Sequence, residues 1–346
     1  MKYKTIPYKG SKRKLLDVIL KLAKEIEAET FLDGFSGTGI VSAYMRKNGY
    51  KVYANDKMTS ANLYSRVFLN GFDEEEVARE LEIINNLTPV VGWITNNYSG
   101  TKTRVIRGTN GQQEDRPLGF LRKNATKIDA AREYAETILS PETKDAVVFS
   151  IVLAANKVFN NSNDQKSCLK EWSDASKKDI TFQIPTLVKG IKGKTFSGEV
   201  HNITKKDYDI VYLDPPYTTG VLYDSCYHLN DSIVNWNKPT LDYSYAIPRP
   251  ESVCFRKNNQ NAGTFYIKKN AINDFTTLLS SFTAKRIILS YSDAPRNVLT
   301  YDELAKICNG IGKLKIITKD HKICSQNKNM NKTSDSLKEF FFIIDK

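Results

Sequence analysis

Thr30-Phe31-Leu32-Asp33-Gly34-Phe35-Ser36-Gly37-Thr38-Gly39, followed by Lys51-Val52-Tyr53-Ala54-Asn55-Asp56, is the stretch whose reading decides the fold. Thr30 to Asp33 has the short apolar run of a buried strand, and it empties into a turn holding three glycines. A helix can open at once, from Gly39 to Met45, and Lys51 to Ala54 makes a second strand that ends on Asn55-Asp56. Strand, glycine turn, helix, strand and acid together predict the start of a Rossmann-like α/β sheet. The glycines let the backbone turn tightly and approach a nucleotide-like ligand. Asp56 at the second strand tip can accept both hydroxyls of a ribose, or it can cap a helix starting at Lys57.

Outward from this core, Leu15, Leu16, Ile19, Leu22, Ala23 and Ile26 recur at helical spacing before it. After it, Glu74 to Leu87 reads as a helix with an acidic start, Val90 to Pro117 as polar, turn-rich chain, and Ala125 to Leu139 and Glu142 to Val158 as helices. Strand–helix alternation is missing here, which predicts a mostly helical insertion over residues 73–175 between two parts of the sheet domain, 1–72 and 176–346. Alternation returns near Thr195 with the strand Asp209 to Leu213. The Pro- and Asn-rich segment from Tyr223 to Gly263 reads as a loop or small subdomain. A helix from Ala271 to Phe282, a strand from Arg286 to Tyr291 and a helix near Asp302 to Ile307 follow. Leu314 to Thr318 and Glu339 to Ile344 are predicted to close the sheet as an antiparallel hairpin at its edge.

The composition suits a soluble globular chain: 346 residues, 40% hydrophobic and 26% charged, enough to bury a core. Lys and Arg number 51 against 39 Asp and Glu, a net charge of +12 that suits a polyanionic partner. The five cysteines (Cys168, Cys226, Cys254, Cys308, Cys324) form no CxxC, so neither a disulfide framework nor a metal site is expected. No signal-like or membrane-spanning apolar run is read, and the expected location is the cytoplasm.

The chemistry is read from Asp214-Pro215-Pro216-Tyr217, directly after the strand ending at Leu213. Two prolines cannot continue a central strand, and they fix the chain. Asp214 and the Pro215 carbonyl can then accept the two hydrogens of an amino group, freeing its lone pair to attack a methyl sulfonium. Tyr217 offers a flat face for an extruded base. The plain alternative is a proline turn with a capping aspartate. No cysteine sits in the motif, so attack through a covalent enzyme intermediate, as methylation of a ring carbon requires, is not read here.

With these motifs in this order, the chain resembles the Dam-like alpha group of N6-adenine DNA methyltransferases of bacterial and phage modification systems. The resemblance implies a methyltransferase sheet with a DNA-recognition insertion, and transfer of a methyl group from S-adenosylmethionine to a flipped adenine in double-stranded DNA. Pro7-Tyr8-Lys9-Gly10-Ser11-Lys12 resembles the family's N-terminal cofactor segment, which implies Tyr8 and Lys9 at the methionine end of the cofactor. Asp33, Phe35, Gly37 and Gly39 match the glycine motif, and Asp56 matches the ribose-binding position. Asn202 stands where the family usually has an Asp at the cofactor's adenine. Ile288 to Ser292 resembles the strand behind the target-base pocket.

For DNA contact, Arg104, Arg107, Arg122, Lys123, Asn161, Arg256 and Lys257 are the expected residues; for Arg104, Arg107, Arg122 and Lys123 a solvated loop is the bland reading. A cognate restriction endonuclease, action as a monomer and no membrane association are further expectations. Methylation of the cytosine amine or of an RNA base, and a catalytically silent nucleic-acid-binding protein on the same fold, are the competing readings. The aspartate before Pro-Pro favours adenine by resemblance.

Overall fold

A computed structural model of the chain describes residues 3–105, 111–161, 164–204, 206–218, 223–253, 265, 268–294, 296–322 and 336–346. In chain order the helices are α1 (Leu16–Ala23), α2 (Ile40–Lys47), α3 (Thr59–Asn70), α4 (Glu74–Asn86), α5 (Trp93–Tyr98), α6 (Arg122–Ala135), α7 (Pro141–Val158), α8 (Asp174–Lys177), α9 (Tyr223–Asn235), α10 (Lys268–Ser281) and α11 (Tyr301–Asn309). The strands are β1 (Thr30–Asp33), β2 (Lys51–Asp56), β3 (Thr101–Val105), β4 (Gln113–Pro117), β5 (Lys194–Ser197), β6 (Tyr208–Leu213), β7 (Leu241–Asp242), β8 (Arg249–Pro250), β9 (Ala284–Ser292), β10 (Lys313–Lys322) and β11 (Ser336–Asp345). The chain forms two compact units: a helical unit of residues 1–11, 66–188 and 223–259, and a sheet unit of residues 12–65, 189–222 and 260–346.

The sheet unit is built on seven strands in the order β10-β11-β9-β6-β1-β2-β5. β5, β2, β1, β6 and β9 run parallel, and β11 is antiparallel to both β9 and β10. The Rossmann-like sheet with a terminal antiparallel hairpin is thus the observed architecture. Its central strands are apolar on both faces, as parallel strands covered by helices must be: β9 is buried from Arg286 to Ser292, and Ile210, Val211 and Leu213 of β6 are fully covered. One core joins Val211, Leu213, Ile287 and Leu289 to Phe275 and Leu278 of α10 and Leu304 of α11. Each such side chain contributes roughly 1.5–3 kcal/mol on leaving water.

In the helical unit, α4 starts where Asp73 accepts the Glu76 N–H at 2.9 Å, with Glu74, Glu75 and Glu76 favouring the positive end of the helix dipole. α7 is buried along most of its length. Two parts of this unit differ from the sequence reading. Residues 90–117, read as turn-rich chain, hold α5 and the antiparallel hairpin β3–β4. α5 lacks a local side-chain cap; its first N–H groups are held by Asp129 of α6, which accepts from Gly92, Ile94 and Thr95 at 2.8–3.1 Å. The segment from Tyr223, read as loop or small subdomain, begins with α9, whose Cys226, Tyr227, His228, Leu229, Asn230 and Ile233 are all buried. Its polar residues misled because Asn230 and His228 find partners inside the protein. Asn230 Oδ1 accepts from Asn156 and Gln165, and the His228 ring bridges the Ser225 and Pro248 carbonyls. Residues 73–175, expected as the insertion, fall in the helical unit with residues 1–11 and 223–259.

Candidate active site

In the sheet unit, register alone brings three carboxylates together. Asp33 pairs with Ala54 on β2 and with Tyr212 on β6, so Asp56 and Asp214 each lie two residues past that line on neighbouring parallel strands. Strand rise and spacing put Asp214 roughly 8 Å from Asp33, measured between Cα atoms. This is the carboxyl edge of an open α/β sheet, where such folds bind ligands.

The glycine turn is locked onto the strand tips. The Gly34 N–H donates to the Tyr212 carbonyl at 2.9 Å, and a Cβ at Gly34 would stand 2.7 Å from the Leu213 side chain. Ser36 N–H donates to the Asn55 carbonyl at 2.9 Å, and Gly37 N–H to Asp56 Oδ2 at 2.8 Å. Gly37 and Gly39 have φ of 50° and 69°, the left-handed region that glycine enters at little cost. Gly39 is also the residue from which α2 starts. Asp56 accepts a second backbone N–H, from Met58, at 2.9 Å. Asp56 thus braces both the glycine turn and the start of the next helix, the capping role read from the sequence. Burial raises its pKa, against the pull of these N–H groups.

Asp33 is almost completely buried. Its Oδ2 accepts from the Ser42 N–H at 3.2 Å and the Ser42 hydroxyl at 2.6 Å, while its Oδ1 has no hydrogen-bond partner among the described residues. Burial, joined by the negative charges of Asp214 and Asp56, pushes its pKa up to about 7 despite the Ser42 hydrogen bonds. A buried acceptor left without a donor is costly and suits a cationic or N–H-bearing ligand.

Asp214 follows β6 at the start of the double proline. The Lys12 ammonium lies 2.8 Å from each of its oxygens and 3.3 Å from Oε1 of Glu339 on β11. Ser290 on β9 donates to the same Glu339 oxygen at 2.5 Å. The side chains of Lys12 and Glu339 are 6% and 5% exposed, that of Asp214 19%, so Asp214 is the end of the cluster that a ligand can reach. Burial pushes the Asp214 pKa up to about 6; Lys12 pulls it down and Glu339 raises it. Burial also works against the Lys12 charge, but Asp214, Tyr217, Glu339 and Tyr212 outweigh it and hold its pKa well above the ordinary lysine value.

The Tyr217 ring lies 4.3 Å from that of Tyr291, tilted by 38°, so the β9 strand end backs one side of it. Val298 N–H fixes its backbone by donating to the Tyr217 carbonyl at 2.9 Å. Phe35 packs edge-on against Phe265, which also stacks on the His201 ring and meets Phe275 edge-on. Asn202 sits exposed in the 3-10 turn Val200–Ile203.

Tyr8 and Lys9 belong to the helical unit. Tyr8 stacks on Tyr227 at 4.5 Å, and the Lys9 ammonium pairs with Asp164 at 2.5 Å. Burial notwithstanding, Lys9 and the Lys166 N–H hold Asp164 below the usual carboxylate range. Of the residues expected to meet DNA, Arg122 opens α6 and is exposed, and Lys123 is exposed and pairs with Asp179 at 2.6 Å. The Asn161 N–H donates to the Phe159 carbonyl. Arg104 lies on β3 with its side chain outside the described residues, as Arg107, Arg256 and Lys257 lie wholly outside them.

Sequence reasoning assigned no role to Lys12, Asp164 or Glu339. A signal existed for Glu339, a lone carboxylate opening the apolar run Phe340-Phe341-Phe342-Ile343-Ile344.

Residues 8–292, from Tyr8 through Asp214-Pro215-Pro216-Tyr217 to Ser292, match the family model of the D12 class N6 adenine-specific DNA methyltransferases. The chain belongs to that family. Among curated relatives it is 24% identical to modification methylase LlaI of Lactococcus lactis subsp. lactis, over 87% of this chain and 48% of that protein. It is 25% identical to modification methylase StsI of Streptococcus sanguinis, over 97% of this chain and 51% of that protein. With the type II methyltransferase M.NlaIII of Neisseria lactamica it shares 24% identity, over 98% of this chain and 99% of that one. The chain thus spans about half the length of LlaI and StsI and nearly all of M.NlaIII. Among the described residues, no helix of this D12-family chain is long and apolar enough to cross a membrane.

Proposed function

We propose that this chain methylates the exocyclic amine of adenine in duplex DNA with S-adenosylmethionine, as the modification half of a restriction-modification system. The observation that carries the reading is Asp214, partly open and held by a buried ammonium, at the strand tip beside the buried carboxylate Asp33 and the glycine turn. When bound, S-adenosylmethionine supplies an electrophilic methyl group on a positively charged sulfur. The residues present fit such a ligand: Asp33 offers an unpartnered oxygen to its amino group, Asp56 faces its ribose, and Gly37 and Gly39 shape the turn that closes on it.

Asp214 and the Pro215 carbonyl accept the two N–H bonds of the target amine, so its lone pair points away from the ring. Tyr217, backed by Tyr291, stacks on the flipped base and offsets part of the few kcal/mol that unstacking costs. The gain comes from positioning and preorganised acceptors. Tyr8, Lys9 and Asn202 are assigned to the cofactor. Residues 73–175 are assigned to recognition of the DNA target, with Arg104, Arg107, Arg122, Lys123 and Asn161 near phosphates or bases; Arg256 and Lys257 form a second basic segment. Action as a monomer, in the cytoplasm, belongs to the same reading.

Transfer of tritium from labelled cofactor into duplex DNA, followed by nucleoside mass analysis, tests it. N6-methyladenine is the expected product. N4-methylcytosine, methylated RNA, or binding without transfer would each replace it with one of the competing readings.

A further inference from the structure

Glu339 stands 125 residues after Asp214 in sequence, yet the two carboxylates share one ammonium. We propose that Glu339 is a positioning residue for methyl transfer: it holds Lys12 against Asp214 and leaves the cluster with one excess negative charge, which strengthens Asp214 as the acceptor for the substrate amine. This rests on the function proposed above and adds a residue that does not touch the substrate.

The geometry favours an active role over mere burial. An ammonium has three donors, and three carboxylate oxygens stand within 3.3 Å of the Lys12 nitrogen. With two of them on Asp214, the third fixes the rotation of the ammonium about its stem. Glu339 is fixed in turn: it faces Ser292 in the β9–β11 register, and its Oε1 accepts from Ser290 at 2.5 Å. A lysine paired with Asp214 alone would make a neutral cluster. Lys12, Asp214 and Glu339 together carry a charge of −1, in a site where the amine would gain positive charge as its nitrogen takes the methyl from a sulfonium, released as a neutral thioether, and would then pass one N–H proton to Asp214. Among the described residues, the other ionisable groups facing Asp214 are Tyr212 on its own strand, Tyr217 beyond the prolines and Asp33 on β1. Two of these are tyrosines whose burial holds them neutral, so among the described residues the acids facing Asp214 are Glu339 and Asp33.

The sign of the charge gives the test. Glu339→Gln keeps the shape and a hydrogen-bonding oxygen but removes the excess charge, so Asp214 becomes a weaker base. Single-turnover methyl transfer to duplex DNA is measured from about pH 5 to about pH 9. The expected result is a plateau rate constant roughly tenfold lower and an acid limb displaced to lower pH, with cofactor and DNA dissociation constants within about twofold of wild type. An acid limb that stays in place, or a slower rate that tracks lost cofactor binding, overturns the proposal. Ser290→Ala decides the matter if the first variant does not fold. It keeps both carboxylates and frees Glu339, and should slow transfer about threefold with the acid limb unmoved; a wild-type rate removes Glu339 from the reaction. A wild-type chain that methylates no adenine sinks the functional reading instead, whereas a methylating wild type with an indistinguishable Glu339→Gln variant sinks this inference alone.

Discussion

Replacing Lys12 with methionine isolates the ammonium that governs Asp214. The nitrogen lies 2.8 Å from both Asp214 oxygens and is nearly unexposed. At about 4 Å between charge centres and an effective dielectric constant near 20, the attraction is about 4 kcal/mol. One pKa unit corresponds to about 1.4 kcal/mol, so losing the ammonium lifts Asp214 by about 3 units, from about 6 to about 9. Near pH 7.5 only about one site in thirty then carries the ionised acceptor, and single-turnover methyl transfer should fall about 30-fold. The lost rate returns as pH rises, about tenfold per unit until the new pKa is reached. Breaking a buried pair costs the fold about 3–5 kcal/mol, so thermal melting is followed in parallel and rates are read below the transition. A variant within threefold of wild type, or one whose rate ignores pH between about 7 and 9, would refute the reasoning.

Tyr217→Phe should keep methyl transfer within about threefold of wild type while Tyr217→Ala loses at least tenfold, because the ring face is the working part; steady-state rates on duplex DNA compare them. Asp56→Asn keeps the side chain's shape but weakens the acceptor of the Gly37 and Met58 N–H groups. Its cofactor dissociation constant, measured by calorimetry, should rise about tenfold. Asp33, raised to about 7, is largely protonated in the free protein below that pH, so its raised pKa favours the apo fold at low pH and this contribution fades as pH rises through about 7. A cationic cofactor reverses the preference: near pH 6.5 its binding should release up to one proton, seen as a buffer-dependent heat in calorimetry, and Asp33→Asn should abolish that release.

The sheet was legible because its signals are local. β1, β2, β6 and β9 are apolar runs bounded by turn residues, and the glycine turn and double proline punctuate them within a few positions. The final hairpin was legible for the same reason. What stayed hidden was held by distant partners. α5 takes its cap from Asp129, more than 30 residues away in sequence, so no Ser, Thr or Asp marks its start. β3 and β4 are polar on both sides and carry no alternation to read. α9 looked like loop because Asn230 and His228 find partners inside the protein, on α7, before β8 and in the segment holding Gln165. In the site, the strand-tip acids could be read from the sequence, but the pairing of Lys12 and Glu339 with Asp214 could not. Neither lies in a motif with Asp214, and only the folded sheet makes them neighbours.

This arrangement ties the reactivity of Asp214 to the completeness of the sheet. Lys12 precedes β1, Asp214 follows the central strand β6, and Glu339 enters on β11, the last strand in the chain. A chain lacking the final hairpin could still pair β5, β2, β1, β6 and β9, and could still form the glycine turn with Asp33 and Asp56, because those contacts are made among the parallel strands themselves. It would lack the group that fixes the Lys12 ammonium from the far side. Under the proposed function, cofactor binding and methyl transfer therefore depend on different parts of one sheet: the first on strand tips brought together by parallel pairing, the second on the antiparallel strand that completes the charge cluster.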